Sequence, residues 1–133
     1  MSDSALLPHI LDLALVPRHS LPQDARKMAQ LSLFDWMAVS LAGADQPLAH
    51  IIRDFVMAEG GVPRAAVTGA AVRLPARAAA LANGTISHAL DYDDTHFAYI
   101  GHPSVAIFPA ALAAAEDMGA SADDVVDAFL IGA

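Results

Sequence analysis

The chain has no cysteine, a single tryptophan, and only 7 lysine and arginine residues against 15 aspartates and glutamates in 133 positions. The first absence removes disulfide bridges and thiolate metal sites, and is compatible with a reducing compartment. The shortage of basic residues excludes the basic face that nucleic acid phosphates require. It is also uneven. Residues 1–66 carry a net −2 and residues 67–133 a net −6, and from Ala78 onward there is neither lysine nor arginine. Long apolar runs are missing as well. Gln30 and Asp35 interrupt the window from Met28 to Ala44, and Ser104 to Ala115 is too short to cross a bilayer. Ile10 to Val16 is short, contains Asp12 and follows an N-terminus without lysine or arginine, so it does not read as a signal peptide. The expectation is a cytoplasmic protein with no membrane partner.

What is present in abundance is alanine, 30 residues, within a composition that is 56% hydrophobic. A chain of this length forms one domain of ordinary size and buries about two-thirds of its unfolded surface, so a packed core is expected. Alanine favours helices that approach closely and disfavours strands, so the expected fold is all-α.

Periodicity and punctuation divide the chain into six helices. The first covers Ala5 to Val16. Arg18, His19 and Ser20 form a turn, with Ser20 and Gln23 at capping-box spacing ahead of a long helix from Pro22 to Ala42. Met28, Leu31, Phe34, Met37, Ala38 and Leu41 make a broad stripe on that helix, widened by Leu33, Trp36 and Val39, which predicts burial on several sides. Phe34, Trp36 and the methionines are expected in the core, and Asp35, a charge within the stripe, as a paired buried acid. Pro47 opens a third helix ending near Ala58. Ala65 to Leu74 carries the one β signal, a short strand or hairpin. Pro75 starts a fourth helix running to about Leu90, Ser104 is placed to cap a fifth ending at Gly119, and Ser121 with Asp124 caps the sixth. That last helix meets the end of the sequence without a basic turn or polar tail, so residues 1–133 read as the N-terminal portion of a single larger helical domain.

One window concentrates the unusual residues: Ser87 to Ser104, SHALDYDDTHFAYIGHPS, with three of the six histidines, three aspartates and both tyrosines. His102 stands before Pro103 and Ser104 at the start of the fifth helix, where free N–H groups and the positive end of the helix dipole suit a carboxylate ligand. A neutral imidazole there can take a proton from carbon or deliver one. Asp91, Asp93 and Asp94 cannot all face one way in a tight loop, and three crowded carboxylates call for a proton or a cation; the plain alternative is a solvated acidic turn. His88 lies three residues before Asp91 on one helical face, within reach of a hydrogen bond. His88, Asp94 and Ser104 are the candidate substrate-binding groups beside His102. The spacing of His88, Asp91 and His96 matches no standard ligand pattern, so no metal is expected. His9, His19 and His50 are isolated and read as surface or capping residues.

Two short motifs compete for the same residues. Asp91, Asp93 and Thr95 fit DxDxT, the nucleophile loop of haloacid dehalogenase-like phosphatases, but that loop must follow a buried strand and here follows an alanine-rich helical run. DYDD also fits the DxDD of class II terpene cyclases, whose aromatic-lined pockets a 6% aromatic content does not support. A non-catalytic helical interaction module is a further alternative.

ALANGTISHALDYDDT followed by GHPS and an alanine-rich helix resembles the signature of the MmgE/PrpD family, and LSLFDWMAVSLAGAD resembles that family's early helix. The likeness covers nearly the whole chain from about Leu21. It implies the opening part of an all-helical domain in a cofactor-independent and usually homodimeric enzyme. Such enzymes act on small di- or tricarboxylates by proton transfer at carbon, with loss of water, loss of CO2 or epimerisation. It also implies active-site roles for Asp91, the first aspartate of the DxDD element, and His102, the histidine of the HPS element. The family's remaining active-site residues match nothing in these 133 positions, and His96 receives no role.

Overall fold

The computed structural model describes residues 6–17, 20–98 and 100–133. Six helices and one two-stranded hairpin occupy them: α1 (Leu6–Ala14), α2 (Gln23–Gly43), α3 (Pro47–Glu59), β1 (Ala65–Ala66), β2 (Arg73–Leu74), α4 (Ala76–Ser87), α5 (Pro103–Met118) and α6 (Ala122–Gly132). The all-α expectation with a short β segment near 65–74 holds. The strands pair antiparallel, Ala65 with Leu74 and Ala66 with Arg73. Among the described residues no helix is long and apolar enough to cross a membrane.

Two cores form, and the alanines decide how. Around α4 the buried residues are small: Ala49, Val56, Ala65, Ala78, Ala79, Ala82 and Ile86 among them. Between α2, α5 and α6 they are aromatic, with Trp36 and Phe108 fully buried and Phe108 stacked on Phe129 at 4.1 Å between ring centroids. α5 joins the two, Ala113 facing the first and Phe108 and Ala115 the second. Small residues let backbones come close. A Cβ at Gly43 would overlap the Ile86 carbonyl oxygen, so glycine is what allows the end of α2 to rest on the end of α4. Gly84 eases the approach of α4 and α5, where an added Cβ would make a tight contact of 3.3 Å with the Val105 carbonyl oxygen.

Polar groups lock these contacts. Asn83 of α4 accepts from Thr68 N–H at 2.8 Å and donates to the Ala66 carbonyl at 3.0 Å, tying the helix to the hairpin. Arg53 is buried and donates to the carbonyls of Ala49, Gly69 and Ala44. Arg26 of α2 pairs with the buried Asp127 of α6.

Four expectations need correction. Ser20 does not cap α2: its hydroxyl donates back to the Pro17 carbonyl at 2.7 Å, and the N-cap is Pro22, which has no side-chain bond to offer. Arg18 and His19 of the expected turn, and Ala5 of the first helix, lie outside the described residues. The long helix buries Ala29, Trp36, Val39, Ser40 and Gly43, while Met28, Leu31, Phe34, Met37 and Leu41 are at least half exposed, and Asp35 is exposed rather than a buried acid. Its large apolar residues cover so much of the circumference that periodicity could not say which face turns inward, and packing against α4, α5 and α6 selects the face that carries Trp36 and Val39 with the small Ala29, Ser40 and Gly43. Met57 of α3 and Met118 at the end of α5 are exposed as well. Finally, α4 stops at Ser87 rather than near Leu90. Thr85 and Ser87 hydroxyls donate to the carbonyls of Leu81 and Gly84, and such back-bonds compete with helix propagation in the last turn.

Candidate active site

The early end of α4 places His88 at the helix terminus and frees the residues that follow to loop back. Asp91 then takes a left-handed conformation, φ 54°, which an aspartate tolerates better than most side chains. The loop closes through a bridge in which His96 N–H donates to the Gly101 carbonyl at 2.8 Å and Gly101 N–H returns the bond at 3.3 Å.

That closure delivers His102 to the N-cap position of α5, beside His88. The two rings stand 5.0 Å apart, edge to face at 61°. Asp93 lies behind them with a fully buried side chain, one oxygen toward each ring: Oδ1 is 3.0 Å from His88 Nδ1 and Oδ2 3.5 Å from His102 Nδ1. Asp91 lies in front, largely exposed, its Oδ1 3.6 Å from His88 Nε2 and 3.8 Å from His102 Nε2. Two carboxylates thus bracket two imidazoles. An acceptor at Nδ1 selects the tautomer that leaves Nε2 as the free base, so Asp93 turns the basic nitrogen of His88 toward the side where Asp91 and solvent are. The contact to His102 is not closed: its Nδ1 and the Asp93 Oδ2 are both buried and make no hydrogen bond.

Asp94 turns the opposite way. Its carboxylate accepts from Ser104 N–H at 3.1 Å and from the Ser104 hydroxyl at 2.7 Å, so it occupies the N-terminus of α5 itself. Ser104 is therefore not the N-cap that the sequence suggested. It sits inside the first turn, fully buried, and the loop carboxylate does the capping. Both donors of Ser104 toward this end are taken by the chain's own aspartate, so neither is open to a substrate carboxylate. His96 is exposed and outside the His88, Asp91, Asp93, His102 group. Asp93, named only in the DxDxT match and among the crowded carboxylates, received no site role from the sequence; its five-residue spacing from His88 gave no helical or strand register to flag it.

An open apolar groove of about 480 Å³ runs up to His88, bordered by Leu48, Leu81, Gly84, Thr85 and Val105. It offers no cation to a polyanionic ligand. The segment before Asp91 is helix α4, not the buried strand a DxDxT phosphatase loop needs, so that alternative loses its structural context.

The family model described as MmgE/PrpD N-terminal domain matches residues 13–133, which include every residue of this site. No curated protein matches the chain.

Proposed function

Because the chain belongs to the MmgE/PrpD family, a family of dehydratases and other lyases, we propose that it supplies part of the active site of a cofactor-independent lyase or isomerase. Its substrates would be small di- or tricarboxylates, processed by proton transfer at carbon. The observation that carries this reading is the bracketed pair of imidazoles at the entrance to α5. His102 serves as the general acid or base through Nε2, Asp91 orients it or contacts substrate, and His88 shares the proton-accepting side. Asp93 is a positioning residue, holding His88 by Nδ1 and facing Nδ1 of His102. Asp94 and Ser104 hold the helix rather than the substrate.

Electrostatics set what else the site requires. A polycarboxylate needs cations, none of the residues from Ala78 to Ala133 is lysine or arginine, and the adjoining groove is apolar. The balancing charge has to come from other parts of the intact enzyme, which on the family resemblance is a homodimer. The 133 residues alone are expected to show no turnover of cis-aconitate or 2-methylcitrate. In the intact enzyme His102→Ala should lower turnover at least about a hundredfold; an unchanged rate would remove His102 from the chemistry, and robust turnover by the isolated chain would contradict the shared-site reading.

One observation favours a second reading, a helical module that binds a partner without catalysis. Met28, Leu31, Phe34 and Leu41 of α2 and Ile51 and Phe55 of α3 leave large apolar side chains in solvent. The two readings separate on His102→Ala, which a binding module would tolerate without loss.

A further inference from the structure

We propose that His88, Asp91, Asp93 and His102 form a binding site for one divalent transition-metal ion of the Zn²⁺ type, competing with the proton these residues otherwise handle. Each of the four offers a ligand atom, and the four atoms lie within 4.8 Å of one another. Asp91 Oδ1 is 3.6 and 3.8 Å from the two Nε2 atoms. Ligands about 2.1 Å from a tetrahedral ion are about 3.4 Å from each other, close to both Asp91 distances. Two imidazoles and a carboxylate without thiolate suit Zn²⁺ and Co²⁺ better than Mg²⁺ or Ca²⁺, which favour oxygen alone.

The second observation lies behind the rings. A metal-bound histidine needs its other N–H held by an acceptor, and Asp93 presents one oxygen to each Nδ1 from a wholly buried position. Leaving Asp93 Oδ2 and His102 Nδ1 buried and unbonded carries a desolvation cost. An ion at Nε2 polarises the Nδ1–H on the other side of the ring, which favours a hydrogen bond from His102 to Asp93 Oδ2 and relieves that cost. The front stays open, since the side chains of Asp91, His88 and His102 are 77%, 44% and 27% exposed, so an ion can enter and a water can take the fourth corner. Chain spacing hid the site because its second histidine comes from the start of α5 and not from the loop's own His96.

The test needs no turnover, so it stands or falls apart from the lyase reading. Co²⁺ is titrated into the purified 133-residue chain while visible d–d absorption is followed, and Zn²⁺ is then added as competitor. One Co²⁺ per chain is expected, at micromolar or tighter affinity, with a tetrahedral-type spectrum that Zn²⁺ abolishes. His88→Gln and His102→Gln should each weaken binding at least about tenfold, and Asp93→Asn by about ten- to a hundredfold, with far-UV circular dichroism verifying that each variant keeps its helices. His50→Gln, remote from the cluster, should change nothing. Absence of stoichiometric binding by the unmodified chain would overturn the proposal whatever the variants do. So would binding that survives both glutamine substitutions in folded protein, or that is lost with His50.

Discussion

Asp93 and Asp94 are consecutive in the chain and lie at the foot of the same helix, yet one faces two imidazoles and the other a serine. The Asp94 clamp is closed: both oxygens are bonded, their donors are the backbone and side chain of one buried residue, and the helix dipole favours the charge. The Asp93 side is open, with a buried oxygen lacking a hydrogen bond and a partner ring partly in solvent. Satisfied polar groups stabilise a fold, whereas groups held close but left incomplete are where a ligand or a proton can be exchanged. The difference separates what builds the site from what acts in it.

Substitutions on the two sides should therefore have opposite signatures. The largest effect is expected on the open side, where the hundredfold loss of turnover in His102→Ala, about 2.7 kcal/mol in the barrier, should come with an almost unchanged melting temperature. On the closed side Asp94→Ala should lower unfolding stability by about 1–3 kcal/mol, because Ser104 is left buried with two unpaired donors; chemical denaturation of the isolated chain measures this. If Asp94→Ala left stability intact, the clamp would have no structural role. Asp93→Asn is the sharper probe, since it keeps shape while replacing one acceptor by a donor. It should cost about tenfold in turnover of the intact enzyme, with less than about 1 kcal/mol in stability, and a larger change in stability than in rate would move Asp93 to the structural side. His96→Ala should be the mildest, within about 0.5 kcal/mol by thermal melting, because its bridge to Gly101 is made by backbone atoms and its side chain is exposed.

Much of the scaffold was legible beforehand. Pro47 and Gly119 punctuate helices where expected, and the Ser121–Asp124 capping box forms in full, its hydroxyl accepting from Asp124 N–H at 3.2 Å and the Asp124 carboxylate accepting from Ser121 N–H at 2.8 Å. These signals are local, so they survive without knowledge of neighbours. The long helix shows where legibility stops. Its apolar residues surround it, so whether Phe34 or Trp36 turns inward depends on which partner arrives, and Gly43 against Ile86 decides in favour of Trp36. Ser20 failed as a cap because α2 starts at Gln23 behind Pro22, two residues too late for the Ser20 hydroxyl, which bonds the Pro17 carbonyl instead.

By itself the sequence determined the helical class, through its alanines, its caps and its shortage of β-branched runs, and it singled out the window from Ser87 to Ser104. Tertiary structure alone decided how the polar groups of that window divide. Helix ends, loop closure and the backbone conformation at Asp91 bring residues 14 positions apart, His88 and His102, edge to face against one carboxylate, while the adjacent carboxylate is spent on Ser104. Side-chain direction in an irregular loop has no period, so no pattern along the chain encodes it; packing at both ends of the loop sets it.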